Sequence, residues 1–392
     1  MTTKISAKNI FKIFGNNPDQ ALGLLQKGQS KEEIYASTGQ TVGVDDVSFE
    51  VAEGEVFVVM GLSGSGKSTL VRMINGLIKP SAGEMLIDDI DVASCSRDVL
   101  RRVRREKVAM VFQHFALFPH RTVAENVAFG LKIRGVKPDE RRERAQAALE
   151  QVGLGTRGDS FPDELSGGMQ QRVGLARGLA SEPEILLMDE PFGALDPLIR
   201  SDMQQELLEL QRSLKKTIVF ITHDLNEALI LGNTIAIMRN GSMVQIGTAE
   251  QIVSNPADDY VAAFTRDVDR SLVFTAQSIA DPAQPLDLAN TDATAALAHM
   301  ETHGLDAVHM VDHGKLAGIV TYRDANTAVR DDVALKHIMQ EDMPTASAET
   351  LLVDLYPLAE KGLPIALTDD EDRLDGVVAP QAVFAQLSNG KQ

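Results

Sequence analysis

The sequence predicts an α/β protein: a largely parallel sheet covered on both faces, followed by a smaller α+β module built from an internal repeat. Three observations predict it. Short apolar runs such as Val56-Phe-Val-Val-Met60 alternate with helical patterns, as parallel strands and their crossover helices require. A glycine-rich loop, Gly61-Leu-Ser-Gly-Ser-Gly-Lys67-Ser68, joins that strand to a helix. Beyond about residue 272 a segment recurs at a constant offset of 58 residues, which implies two copies that pack together.

In chain order, Lys8-Asn-Ile-Phe-Lys-Ile-Phe14 reads as an early strand. A polar excursion over about 15–40 carries two short helical patterns, around Leu22–Leu25 and Lys31–Tyr35. Val56–Met60 runs into the loop, and a helix is expected over Thr69–Leu77. Val108–Phe112, Ile185–Met188 and Thr217–Thr222 read as buried strands, Asp139–Val152 and Met169–Ser181 as helices. In the repeat, Gly304-Leu-Asp-Ala-Val-His-Met-Val-Asp312 recurs as Gly362-Leu-Pro-Ile-Ala-Leu-Thr-Asp-Asp370. Leu316-Ala-Gly318-Ile-Val320 recurs as Leu374-Asp-Gly376-Val-Val378. Each copy reads helix, short strand, turn, short strand, helix.

At 392 residues the chain is expected to hold two or three domains. No run of eighteen apolar residues occurs, so no membrane span is expected. Met1-Thr-Thr-Lys-Ile5 lacks the apolar core of a secretion signal. The single cysteine, Cys95, fits a reducing compartment; a cytosolic location is expected. Residues 271–392 hold 19 acidic and 7 basic side chains, a net of −12 within the total of −18. Such a region repels nucleic acid and anionic lipid. Arg101-Arg-Val-Arg-Arg105 and Glu140-Arg-Arg-Glu-Arg144 read as solvated helix faces.

The loop follows a strand and precedes a helix, the context that makes its glycine spacing a phosphate cradle. Gly61, Leu62, Ser63, Gly64, Ser65, Gly66, Lys67, Ser68 and Thr69 are the expected ATP contacts. Backbone N–H groups would converge on phosphate oxygens, with Lys67 reaching the β- and γ-phosphates. Ser68 would coordinate Mg²⁺ through its hydroxyl. Asp189 ends an apolar strand and would join the Mg²⁺ shell; Glu190, next to it, would polarise the attacking water and take its proton. Gln113 and His223 each follow a strand, where Gln113 would sense metal and water and His223 the γ-phosphate. Leu165-Ser-Gly-Gly-Met-Gln170 opens a helix behind a good N-cap. A second anion cradle is explicable if it serves another molecule's ATP.

These five segments, in this order, resemble an ATP-binding-cassette (ABC) ATPase over residues 1–270, a P-loop NTPase with a helical subdomain at about 114–170. The resemblance implies that Ser166, Gly167, Gly168 and Gln170 face the ATP of an opposing protomer. It implies that Asp196, in Gly193-Ala-Leu-Asp196, couples the two sites of a head-to-tail homodimer. It places Phe14 against adenine, with Tyr35 as the rival. The excursion at 15–40, Phe118-Pro-His-Arg-Thr122, Asp196-Pro-Leu-Ile-Arg200 and the repeat resemble the ATP-binding subunit of glycine betaine/proline betaine importers. That likeness implies transmembrane permease subunits, a substrate-binding protein, a quaternary ammonium osmolyte as cargo, and a peripheral location on the cytoplasmic face of the plasma membrane. An importer for another solute such as choline, carnitine or an amino acid, or a soluble nucleotide-dependent factor, are the alternatives.

The repeat resembles tandem CBS domains, expected over 272–331 and 332–392. In Gly318-Ile-Val-Thr321-Tyr-Arg-Asp324, Thr321 would meet a phosphate and Asp324 the ribose of an adenine nucleotide. The second copy, Gly376-Val-Val-Ala379-Pro-Gln-Ala382, lacks both polar groups. Ligand sensing and a purely structural role both remain open. His299, His303, His309 and His313 form a loose cluster without the spacing of a metal site, and are expected to pack or face solvent.

Overall fold

The computed structural model describes residues 2–113 and 116–388. Residues 114–115, where the expected helical subdomain begins, and 389–392, at the end of the second repeat, lie outside the described residues. The chain divides into two compact units, Met1–Arg266 and Asp267–Gln392.

In the first unit, strands β1 (Thr3–Phe14), β2 (Thr41–Ala52), β4 (Ala82–Ile87) and β5 (Ile90–Asp91) form an antiparallel sheet ordered β2-β1-β4-β5. A six-stranded sheet is ordered β10-β9-β3-β8-β7-β6. Its strands are β3 (Val56–Met60), β6 (Val108–Phe112), β7 (Ile185–Asp189), β8 (Thr217–Thr222), β9 (Thr234–Arg239) and β10 (Ser242–Gly247). All its pairings are parallel except β9–β10. Every residue of β3, β7 and β8 is buried, the physical reason these strands read as unbroken apolar runs. The antiparallel sheet was not foreseen beyond its first strand. One apolar core joins the sheets, running from Ile5, Ile10 and Val47 through Leu70 and Met73 to Phe57, Leu187 and Val219.

Helices α1 (Pro18–Leu25) and α2 (Lys31–Thr38) form the excursion, where Ala21 and Ile34 close a small core with Ile13 and Val42. The loop helix α3 spans Lys67–Ile74, starting two residues earlier and ending three earlier than expected. It is followed by α4 (Arg97–Glu106), α5 (Val123–Val127), α6 (Phe129–Ile133), α7 (Pro138–Gln151) and α8 (Gly167–Leu179). The buried Asn126 side chain accepts from Phe118 N at 2.7 Å and donates to the carbonyls of Phe118, Arg121 and Thr122, pinning the chain that enters the helical region. The unit continues with α9 (Pro197–Leu214), α10 (Leu225–Leu231), α11 (Ala249–Ser254) and α12 (Asp259–Thr265).

The second unit holds two small sheets. One comprises β11 (Asp281–Pro282), β15 (Thr345–Ala346), β16 (Ile365–Thr368) and β17 (Leu374–Val378), ordered β11-β17-β16-β15; the other is β12 (Leu286–Asp287), β13 (Ala307–Asp312) and β14 (Lys315–Thr321). Helices α13 (Ala293–His303), α14 (Tyr322–Asp331), α15 (Leu352–Ala359) and α16 (Pro380–Ser388) complete the copies. The copies exchange edges: β11, near the start of the first copy, pairs with β17 of the second. Reciprocally, Gln340, near the start of the second copy, bridges Ile319 in β14. Each copy thereby supplies an edge to the sheet of the other.

Candidate functional site

Strand register carries the site to one edge of the parallel sheet. Phe112 pairs with Asp189, Asp189 with Ile221, and Met60 with Thr222. The residues that follow these strands, Gly61, Gln113, Glu190 and His223, therefore emerge together at the carboxyl edge, where ligands bind in open α/β sheets.

The cradle is built on glycine. At Gly61 (φ 152°) a Cβ would stand 2.3 Å from the Met238 carbonyl oxygen; at Gly66 (φ 105°) it would stand 2.8 Å from that of Gly43. Only glycine accepts both the backbone angle and the approach. Lys67 is buried and its Nζ donates to the carbonyls of Gly61 at 2.7 Å and Leu62 at 3.1 Å. Burial lowers the Lys67 ammonium, against the pull of Glu190 and Asp189. The Ser65 hydroxyl is buried with no hydrogen-bond partner, a donor that a phosphate oxygen would satisfy. These atoms fit a triphosphate.

Ser68 Oγ donates to Asp189 Oδ1 at 2.9 Å. Adjacent oxygens in an octahedral Mg²⁺ shell lie about 3 Å apart, so the pair fits one edge of such a shell. Bound there, the ion would offset phosphate charge. Arg72, one helical turn after Ser68, reaches Asp189 Oδ2 at 3.6 Å; sequence reasoning missed it, although the i,i+4 spacing puts both on one face.

Glu190 is the meeting point. Gln113 Nε2 donates to its Oε2 at 3.4 Å, His223 Nδ1 lies 3.2 Å from the same oxygen, and Lys67 Nζ lies 3.9 Å from Oε1. Glu190 holds φ at 48°, a left-handed backbone that costs a non-glycine residue about 1–3 kcal/mol. Its N–H is fixed to the Ile221 carbonyl at 3.0 Å, so the sheet pays for this turn and aims the carboxylate across the edge. Four separate segments thus bring Lys67, Gln113, the adjacent Asp189 and Glu190, and His223 together.

Phe14 is 42% exposed, and a Cβ at Gly43 would stand 2.7 Å from its ring. Gly43 in turn touches Gly66, so one residue separates Phe14 from the cradle. Tyr35 is 60% exposed on α2; its helix nevertheless leans toward the same place, because Lys31 pairs with Asp45 at 3.0 Å and bonds the Asn240 carbonyl. Ser63, Gly64 and Thr69 complete the loop and the first turn of α3.

The other expected residues lie on α8 and α9. Ser166 caps α8, accepting from Met169 N at 3.4 Å. Gly167 is exposed, Gly168 lies against Ile199, and Gln170 Nε2 donates to the Pro162 and Leu165 carbonyls. Asp196 caps α9 through Ile199 N at 3.1 Å. In the second unit Thr321 caps α14, and its hydroxyl donates to Asp324 Oδ2 at 2.7 Å, which also accepts from Gln340. The His299 and His303 rings lie 4.3 Å apart and tilted by 35°, His313 is exposed, and His309 is buried, its pKa pushed down to about 4 by burial. Among the described residues no group of three His, Cys, Asp or Glu is placed to hold a metal ion. Nor, among them, is any helix long and apolar enough to cross a membrane.

The chain is similar to known proteins. The ABC transporter family matches residues 44–193, and the CBS domain family matches residues 288–331. A glycine betaine transport ATP-binding protein of Bacillus subtilis (strain 168) is 46% identical over 391 residues, 99% of this chain and 93% of that protein. A trimethylamine N-oxide transport system ATP-binding protein of Ruegeria pomeroyi is 53% identical over 276 residues, 70% of this chain and 81% of that protein. A solved dimer of an ATP-binding cassette, in a post-hydrolysis state bound to ADP and Pi, superposes with a TM-score of 0.52 at 34% identity, covering 62% of this chain and 98% of that one. Sustained over virtually its whole length, the likeness to the first of these relatives means that the chain belongs to the family of ABC transporter ATP-binding subunits of the glycine betaine type.

Proposed function

We propose that this chain hydrolyses ATP to power import of an N-methylated osmolyte of the glycine betaine class. The observation that carries the chemistry is the convergence of Gln113, His223 and Lys67 on the Glu190 carboxylate, beside the Ser68–Asp189 pair. Glu190 would hold a water in line with the γ-phosphorus. As the water oxygen bonds to phosphorus, its proton passes to Glu190 and the bond to the bridging oxygen breaks. ADP and inorganic phosphate leave. Lys67 balances charge on the phosphate oxygens, and His223 and Gln113 fix the position of Glu190 and its water. The residues do mostly positioning and charge stabilisation, as phosphoryl transfer requires.

Residues to about 270 form the motor, with the helical region at about 114–170 docking transmembrane permease subunits at the cytoplasmic face of the membrane. Two copies would sandwich two ATP molecules, the segment Ser166–Gly168, with Gln170, and Asp196 facing the partner's nucleotide. The ADP-bound dimer of the related cassette supports this arrangement. A substrate-binding protein would deliver the solute. The repeats at 272–331 and 332–392 form a paired module in which Thr321 and Asp324 would contact an adenine nucleotide; their mutual hydrogen bond supports an equally structural part in capping α14. The trimethylamine N-oxide relative favours a second reading, in which the cargo is that N-oxide. Uptake of labelled glycine betaine, and separately of labelled trimethylamine N-oxide, by proteoliposomes holding this chain, its membrane subunits and the substrate-binding protein tests both. ATP-dependent uptake that excess glycine betaine competes away supports the first reading. Uptake restricted to the N-oxide supports the second, and no ATP-dependent uptake of either refutes both.

A further inference from the structure

Arg200 lies on the first turn of α9, where the positive end of the helix disfavours a cation, and its guanidinium reaches three different places. Nη2 donates to the Leu195 carbonyl at 3.3 Å, inside the loop Gly193–Asp196. Nη1 donates to Asp224 Oδ2 at 3.3 Å, the residue after His223. Nε faces Glu227 Oε1 at 3.8 Å. Glu227 is buried, and its carboxylate accepts from the Thr222 hydroxyl and from Gln204 Nε2 at 3.4 Å. Thr222 precedes His223, and its Oγ1 also accepts from Asp224 N at 2.9 Å. One rigid fork therefore holds the loop before α9 on one side and both neighbours of His223 on the other. Burial raises the Glu227 carboxyl, the Thr222 hydroxyl opposes this, Asp224 adds to it and Arg200 opposes it.

We propose that Arg200 is a positioning residue: a strut that ties the Gly193–Asp196 loop to His223, so that the loop's position sets the imidazole against Glu190. The inference rests on the reading of Glu190 and His223 as the hydrolytic pair. Two divergent hydrogen bonds and an ion pair from one planar group suit arginine and not lysine, whose single ammonium cannot span them. Glu227 anchors the fork: a buried carboxylate holds its cation in one orientation because losing it leaves an unpaired charge.

The test compares steady-state ATP turnover, ATP binding and thermal unfolding in the full chain. The proteins are wild type, Arg200→Ala, Arg200→Lys, the double variant Arg200→Ala/Glu227→Gln, and Glu190→Gln. Arg200→Ala is expected to lower kcat by about 10- to 100-fold, the scale of a misplaced catalytic group, while KM and ATP binding stay within about twofold because the cradle is untouched. Arg200→Lys should not restore kcat. The double variant removes the unpaired buried charge, so it should recover the unfolding temperature and leave kcat low. Should Arg200→Ala fail to fold, the double variant and Arg200→Lys carry the same reading. Wild-type kcat in Arg200→Ala, in Arg200→Lys or in the double variant overturns the strut. Normal turnover by Glu190→Gln overturns the underlying reading of the base instead, so the two failures are distinct.

Discussion

Replacing Glu190 by glutamine removes the proton acceptor and leaves its frame. The amide is nearly isosteric, and Gln113 Nε2 and His223 Nδ1 remain within reach of the position they occupy at 3.4 and 3.2 Å. The left-handed turn at φ 48° and the bond from Glu190 N to Ile221 O belong to the backbone and survive the change. What disappears is general-base catalysis, worth about 10²–10⁴ in rate, or about 3–5 kcal/mol on the barrier. Binding should move the other way. Lys67 Nζ keeps its carbonyl partners and loses a carboxylate 3.9 Å away, so its charge is freer for the phosphates. Glu190→Gln should therefore release phosphate at about 1% of the wild-type rate or less, with an ATP Kd equal to or below that of wild type. Phosphate release at saturating ATP and equilibrium binding of a fluorescent ATP analogue read both quantities. Turnover within about tenfold of wild type, with ATP binding intact, would refute the assignment.

Gly61→Ala should destabilise the fold by about 1–3 kcal/mol and remove the stabilisation by ATP, because its Cβ meets the Met238 carbonyl at 2.3 Å; urea unfolding with and without ATP measures it. Phe14→Ala should weaken ATP binding by about 1–3 kcal/mol, the worth of one base stacked on an aromatic ring, and Tyr35→Ala should leave it unchanged; the reverse result would transfer the adenine platform to Tyr35. The Lys4, Lys107, Asp88 and Glu184 cluster makes stability depend on pH at both extremes. Burial pushes the two carboxyls up, but hydrogen bonds from the lysines outweigh it and hold both below their ordinary values of 3.8 and 4.5. Their contribution is full above those values and is lost as pH falls through the lowered ones. Lys4 and Lys107 are raised above 10.5, Lys4 against its burial and Lys107 mainly by Asp88, so their contribution is full below 10.5 and is lost as pH rises through the raised values. Lys4→Met should flatten both arms in urea unfolding series at acid, neutral and alkaline pH.

What could be read beforehand was what burial writes into composition. β3, β7 and β8 are covered on both faces and so are apolar at every position, and the glycine loop between β3 and α3 has backbone demands only that spacing meets. The antiparallel sheet escaped because β2 and β4 alternate buried and exposed residues over short stretches and β1 is broken by register shifts. Its pairings, such as Ile5 with Ile87, are too distant in sequence for any local period to reveal. The left-handed Glu190 was equally hidden, since local preference opposes it and the long-range bond from its N–H to the Ile221 carbonyl holds it. The Arg200 cluster draws on α9, β8 and α10. Its one outward sign was a cation four residues after Asp196, in the wrong turn of a helix. The edge exchange between the repeats rests on strands as short as Asp281–Pro282, below what any pattern can signal.

In the proposed head-to-tail dimer each hydrolytic site is shared between two chains, with Lys67 from one and Ser166 from the other. Mixing two inactive full-length variants, Lys67→Ala and Ser166→Arg, tests it directly. In a head-to-tail pair the Ser166→Arg chain supplies an intact cradle and the Lys67→Ala chain an intact Ser166, so one of the two sites is rebuilt. Each variant alone is expected to be inactive, and an equimolar mixture to regain on the order of a quarter of wild-type turnover, half the dimers being mixed and each holding one good site. A mixture as inactive as its components would contradict it.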